Sequence, residues 1–390
     1  MFYQETEVMI SVVKILVLTV WFLILLKCSV EPVNQEDIVT SLDKIENEKK
    51  QLISLKQDSF FSDEKTPLNF KVAIFGDSGV GRGFESVLEL VKKEQADMVI
   101  HLGDFSYYLD HHYGAQIWDK KVNEILGEKY PYFLVAGNHE GPGWNSYVEL
   151  FYKRLQHLPQ GTCTVAQGVK DLGVKSYCNY KGVFMLLSGV GSVGIGHESF
   201  IRSALERNKS SDWKICAWHK NQNSLQLGHK PSEVGWAPYK LCQTHGAVVA
   251  TGHEHSYGRT RTLTEVSNIL KNQGAVGAND EVTLAPGKNF VSVIGTGGKS
   301  FRPYNCLKGA LDPWWASIYT TNYVVKNREP LKPLSCVDNL DELKEDDQNT
   351  IDFGVLFLEL NFEGQEKKAR GRFVTTKGRV LDEFMVTKEN

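Results

Sequence analysis

The chain has 390 residues, of which 42% are hydrophobic, 11% aromatic and 23% charged, a balance that excludes collagen-like, mucin-like and wholly disordered chains. Its 44 Lys+Arg against 47 Asp+Glu leave a formal net charge of −3, without the basic excess of a nucleic-acid-binding domain, so no nucleic-acid partner is expected. The length allows one large domain or two modest ones.

In chain order, the first feature is an apolar run from Val8 to Leu26, densest from Ile15 and followed by Lys27. Its dense part has the ~7–15 residues of a signal-peptide core, and the whole run approaches the ~20 residues that span a bilayer. Residues 1–30 read as a signal peptide or signal anchor, with membrane association only if the segment stays uncleaved. Either reading places the chain in the secretory pathway: secreted, lysosomal or vacuolar, or anchored with the rest of the chain in the lumen. Residues 31–66 form a polar lead-in in which Ile38, Leu42, Ile45, Leu52 and Leu55 give a short helical stripe.

From residue 67 to 390 a single domain is expected. Apolar runs suited to buried strands cover 70–75, 98–102, 132–136, 183–187, 213–218 and 247–251, with amphipathic helices at 84–95, 116–127 and 198–208 between them. That alternation implies an α/β layered fold. The tail differs: 289–294, 355–360, 371–375 and 380–386 read as strands without intervening helices, an antiparallel part forming a second sheet against the first. Stretches 260–288 and 299–350 read as long irregular segments.

Beyond Cys28 lie six cysteines, Cys163, Cys178, Cys216, Cys242, Cys306 and Cys336, none in a C-x-x-C zinc pattern. An even number in a lumenal chain suggests disulfides. Many pairings are open, and the sequential one closes the shortest loops. Asn208-Lys209-Ser210 is a glycosylation sequon placed after a predicted helix, where exposure is expected.

Five polar clusters follow predicted strands: Gly76-Asp77-Ser78-Gly79, Gly103-Asp104-Phe105-Ser106-Tyr107, Gly137-Asn138-His139-Glu140, His219, and Gly252-His253-Glu254-His255. Ligands in α/β folds bind outside the carboxyl ends of strands, so one fold assumption brings all five to one edge. Carboxylates, an amide carbonyl, imidazoles and a phenol form a donor set for Fe, Zn or Mn. A carboxylate can bridge two such ions, and two ions ~3.5–4 Å apart can clamp a phosphoryl group. Gly76 to Gly83 nearly matches a P-loop, but Arg82 and Gly83 stand where Lys and Ser/Thr are needed. Outside the clusters, His111 and His112 read as solvated loop residues or the edge of a cleft. Trp314, Trp315, Tyr319 and Tyr323 read as loop packing or a cleft wall.

As a set, GDSG, GDFSY, GNHE, a strand-end His and GHEH resemble the metallophosphoesterases, and within them the purple acid phosphatases. The resemblance runs from about Asn69 to the C-terminus. Gly79, where many relatives place a His ligand, and Tyr107, where this branch places a phenolate, favour that branch. One departure is Cys216, where the fourth motif usually begins with Val. The resemblance implies a four-layer α/β/β/α sandwich of two mixed β-sheets flanked by helices, in the small single-domain form. It implies that Asp77, Tyr107 and His255 bind Fe(III), that Asp104 bridges, and that Asn138, His219 and His253 bind a divalent Fe, Zn or Mn. His139, and His229 after His219, are implied to face the substrate. The implied activity is acid phosphatase: hydrolysis of phosphomonoesters, small-molecule or phosphoprotein, by a metal-bound hydroxide. A phosphodiesterase with the same metals, a metal-retaining binding protein without turnover, and a nucleotide-binding module are the competing readings.

Overall fold

The computed structural model describes residues 64–267, 274–308, 312–336, 343–344 and 352–389. The apolar run at 1–30 and nearly all of the polar lead-in at 31–66 lie outside the described residues. Among the described residues no helix is long and apolar enough to cross a membrane.

Strands β1 (Phe70–Phe75), β2 (Met98–His101) and β3 (Tyr132–Leu134) pair in parallel. Gly354–Leu360 pairs antiparallel with β1, followed by Lys368–Thr375 and Val380–Lys388, and Glu281–Leu284 closes that edge. The result is a seven-stranded mixed sheet. A second, ten-stranded sheet contains β4 (Cys163–Val165), β5 (Lys175–Tyr180), β6 (Val183–Ser188), β7 (Trp213–Trp218), β8 (Val248–Thr251) and β9 (Tyr257–Thr260). Within it β6, β7 and β8 are parallel, and Val291–Ile294 lies between β8 and β9.

The period-two alternation of each strand sorts its side chains into two cores. Met185, Leu187, Ile215, Ala217, Val248 and Ala250 join the core shared with the first sheet. Their neighbours Phe184, Leu186, Cys216, Trp218 and Val249 face the other way. There they meet Ile201, Ala204 and Leu205 of helix His197–Arg207, and Tyr239, Leu241 and Cys242 of helix Trp236–Thr244. Both faces of β6 and β7 are thus covered, which is why their sequences are near-continuous apolar runs. Helix Arg82–Lys93 buries Phe84, Val87, Leu88 and Val91, a 3.6-residue stripe, on the first sheet's side. The fold is two mixed sheets with helices on their faces, the α/β/β/α sandwich expected.

The tail does not form a separate second sheet. Its strands from Gly354 onward join β1–β3, while β6–β8 build the second sheet with Val291–Ile294. Alternation in sequence reports strands and helices but not which sheet a strand enters. The two stretches read as irregular carry short strands, among them Thr262–Leu263, Glu281–Leu284, Trp315–Tyr319, Val324–Lys326 and Glu329–Lys332. Helices Trp144–Leu155 and Trp236–Thr244 and strands β4 and β5 also go beyond the sequence reading. Trp314 and Trp315 are buried in the second core, so they pack the fold rather than wall a cleft.

Asn208 is a second correction. It is 1% exposed, its Nδ2 donates to Ala204 O at 2.8 Å, and its Oδ1 accepts from Asn179 Nδ2 at 3.2 Å. The side chain back-bonds to its own helix and has no outward face for a glycan.

The cysteines pair sequentially: Cys163–Cys178 across β4 and β5, Cys216–Cys242 from β7 to the helix on its outer face, and Cys306–Cys336. Three disulfides fit an oxidising compartment. Cys216 therefore has a structural reason to replace the usual Val, because it pins the strand that ends at His219. Replacing Cys216 with Val and Cys242 with Ala together should cost about 3 kcal/mol, from loosening the unfolded chain. Denaturant unfolding of the two proteins under non-reducing conditions checks this.

Candidate metal centre

The carboxyl ends of both sheets meet at one edge. Gly76 N donates to Ile294 O at 2.8 Å, and Gly297 N donates to Gly76 O at 2.8 Å, stitching the sheets together there. Glycines precede the functional residues because the turns are crowded. A Cβ on Gly103 would stand 2.7 Å from Gly137 Cα, and one on Gly252 would stand 2.7 Å from Asp77 Oδ2. Asp77, Asp104 and His253 have φ of 59°, 57° and 68°. Non-glycine residues rarely take this left-handed conformation, and it recurs where a site requires a side chain to point one way.

Asp104 sits in the middle of the cluster. Its Oδ2 lies 3.4 Å from Tyr107 Oη on one side and 3.2 Å from His219 Nε2 on the other. On the Tyr107 side, His255 Nε2 is 3.2 Å from Tyr107 Oη and 3.2 Å from Asp77 Oδ1. On the His219 side, His219 Nε2 is 3.1 Å from Asn138 Oδ1 and 3.2 Å from His253 Nδ1. Asp77, Asp104, His219, His253 and His255 are buried. The donor atoms of Asp104, His219 and His253 lie within 4.8 Å of one another.

The other nitrogen of each imidazole has a polar neighbour, and for His219 that neighbour is a carbonyl oxygen, which can only accept and so sets the tautomer. His219 Nδ1 is 2.7 Å from Leu102 O, His255 Nδ1 is 2.5 Å from Ser300 Oγ, and His253 Nε2 is 2.7 Å from Glu233 Oε2. Glu233 is itself paired with Lys220. Glu233→Gln should weaken metal retention or turnover by ~10–100-fold through loss of the charged partner of His253. Titration of the chelated protein with Zn²⁺, followed by calorimetry, measures the first effect directly.

The electrostatics favour a cation. Burial pushes the Asp77 and Asp104 carboxyls toward neutrality, but His219 and His255 beside Asp77, and His219 beside Asp104, hold both below the usual carboxylate range. Burial opposes charge on His219, yet Asp104 and Asp77 push it up to about 9. Burial, and then the His219 charge, keep His253 far below the usual imidazole range. An imidazolium at His219 thus stands beside two buried carboxylates. Asp77 Oδ1 has no well-aligned hydrogen bond to satisfy it. A metal ion among these donors would supply the positive charge that the proton on His219 supplies without it, so the residues fit such an ion.

His139 lies beside this cluster. Its backbone N donates to Asp104 Oδ1 at 3.0 Å, its ring centroid lies 4.3 Å from that of Tyr107 with the planes tilted by 52°, and its side chain is 45% exposed. His229 is exposed, and no hydrogen bond or ion pair joins it to the cluster among the described residues. The structure therefore gathers eight of the nine sequence-predicted site residues and leaves His229 at the surface. His112 faces Gln116 of its own helix at 2.8 Å and does not enter the cluster.

Several residues of the site escape sequence reading. Glu140 accepts from the backbone N of Asp104 at 2.8 Å, Phe105 at 2.8 Å and Gly137 at 3.2 Å, and so shapes two of the turns. Burial, and then the Asp104 charge, push its carboxyl up to about 8. His101 is pushed by burial to about 3 and stays neutral among Phe75, Phe105 and Tyr132. Its Nδ1 accepts from Gly103 N at 3.3 Å, leaving Nε2 to donate to Ser78 Oγ at 2.9 Å. Glu140 directly follows the Asn138-His139 pair and could have been singled out there. Glu233 and Ser300 carry no local signal.

Residues 70–257 match the family model described as calcineurin-like phosphoesterase. Among solved structures, a purple acid phosphatase from yellow lupin (Lupinus luteus) is 15% identical, with a TM-score of 0.52 over 84% of this chain and 55% of that one. The chain thus spans about half the length of the lupin protein, and the likeness is one of fold. PhoD is 11% identical, with a TM-score of 0.45 over 84% of this chain and 73% of that one. A dimetal phosphatase from Danio rerio is 12% identical, with a TM-score of 0.41 over 82% of this chain and 99% of that one. No curated protein matches the chain in sequence.

Proposed function

We propose that residues 67–390, of which 70–257 match the calcineurin-like phosphoesterase family model, are an acid phosphatase of the purple acid phosphatase type. It hydrolyses phosphomonoesters at a two-metal centre in the secretory pathway or outside the cell. The observation that carries this reading is the position of Asp104. One carboxylate oxygen lies between the Tyr107–His255–Asp77 group and the Asn138–His219–His253 group, the arrangement a bridging ligand needs.

Asp77, Tyr107 and His255 would hold Fe(III), and Asn138, His219 and His253 a divalent Fe, Zn or Mn. Such ions polarise phosphoryl oxygens and bring the ionisation of water into the working pH range. The protein's own contribution is orientation. Ser300 and Leu102 O hold the His255 and His219 imidazoles, the Glu233 carboxylate stands beside His253, and Glu140 holds the turn carrying Asp104. His139, held by its backbone at Asp104 and half open to solvent, is placed to donate a hydrogen bond to the substrate phosphate or to the departing oxygen. Three disulfides support entry into an oxidising compartment.

Turnover of an aryl phosphate monoester and of the matching diester at acidic pH tests the reading. The monoester should be the better substrate. Tyr107→Phe tests the ferric assignment, because phenolate donation to Fe(III) gives visible absorption. The wild-type protein should be coloured and the variant bleached, and a colour that survives the substitution removes Tyr107 from the ligand set.

A further inference from the structure

Lys299 approaches the centre from the second sheet's side without belonging to the ligand set. Its backbone N donates to Asp77 O at 3.1 Å, which ties its Cα to a residue of the cluster. Its stem lies over Gly79: a Cβ there would meet Lys299 Cδ at 3.4 Å and Tyr107 Cδ2 at 3.8 Å. Gly79 has a φ of +58°, a conformation that side chains rarely take, so the room above it is left to the lysine. The ammonium ends 4.9 Å from the centroid of the Tyr107 ring, the same ring that His139 meets with centroids 4.3 Å apart.

Each of the other cations near the site has a partner of its own. Lys230 Nζ donates to His253 O at 2.6 Å and Arg302 Nη1 donates to the same oxygen at 3.1 Å, while Lys220 is paired with Glu233. Among the described residues no carboxylate pairs with Lys299. A cation–π contact holds its position without neutralising its charge. An ammonium so held, over the ring of the phenol that His139 also contacts, has a preset direction and donors left for an anion.

We propose that Lys299 binds a non-bridging oxygen of the substrate's phosphoryl group, so that phosphate is gripped by this chain's own charge as well as by metal. The inference rests on the phosphatase reading and adds a substrate-binding residue to it. The test compares the metal-loaded wild type with Lys299→Met and Lys299→Arg. It reads KM for an aryl phosphate, the inhibition constant of inorganic phosphate, and metal content. Lys299→Met should raise KM and the inhibition constant about tenfold, the usual worth of a charge-assisted hydrogen bond, with metal content unchanged. Lys299→Arg should recover most of that loss, because it keeps the charge. A Lys299→Met protein with KM and phosphate inhibition equal to those of an active wild type would overturn the inference and leave the phosphatase reading standing. A metal-loaded wild type that neither turns over nor binds phosphate would overturn both.

Discussion

Asp104→Asn should lower turnover of an aryl phosphate by roughly 10³-fold or more, equivalent to ~4 kcal/mol of transition-state stabilisation. The amide keeps the shape and loses the charge. Asp104 Oδ2 faces Tyr107 Oη at 3.4 Å and His219 Nε2 at 3.2 Å, so both halves of the cluster depend on that oxygen. An Asn side chain has only one acceptor oxygen and cannot serve two cations and the His139 backbone N–H at once. The variant should also retain less metal. Its far-UV circular dichroism should match that of the wild type, because the sheet pairings do not involve the side chain. Equal activity in the two proteins would remove Asp104 from the machinery.

The second large effect is on stability. Arg259 on β9 is fully buried and forms a bidentate pair with Asp382, Nε to Oδ2 at 2.6 Å and Nη2 to Oδ1 at 2.9 Å. Asp382 lies on strand Val380–Lys388 of the other sheet, so the pair bolts the two sheets together. Tyr257 Oη and Ser317 Oγ donate to the same carboxylate at 2.6 and 2.7 Å, and the guanidinium stacks 4.1 Å from the Phe384 ring centroid. Asp382→Ala would leave a guanidinium buried without its counter-charge, which costs ~3–5 kcal/mol. A fall in the thermal midpoint of roughly 4–8 °C follows for a domain of this size. Pairing Asp382→Leu with Arg259→Met removes both charges and should recover much of the loss. Thermal melts of the single and double variants check this, and a single variant no worse than the double would contradict it.

How much of this was legible in the sequence follows from how local each signal is. Asp77, Asp104, Asn138, His219, His253 and His255 were legible because each follows a buried strand, most within one or two residues of a turn glycine. Periodicity gave most of the central strands and three of the helices within a few residues. It could not say that β1–β3 and β6–β8 enter different sheets, because that choice is made by pairing across long sequence distances. Glu233 and Ser300 were invisible for the same reason: each meets its histidine only after folding. Arg259 and Asp382 are separated by 123 positions. Asn208 shows the opposite failure. Its sequon is a chemical pattern, and burial by hydrogen bonds to Ala204 and Asn179 is a property of the fold.

The most direct measurement is the metal content of the purified chain, taken in the same preparation as its hydrolysis of a generic aryl phosphate, before and after chelation and reconstitution. The account predicts about two metal ions per chain, activity lost with the metal and restored with it. A metal-free chain that keeps full turnover, or a chain loaded with two ions that hydrolyses no phosphate ester, would contradict it.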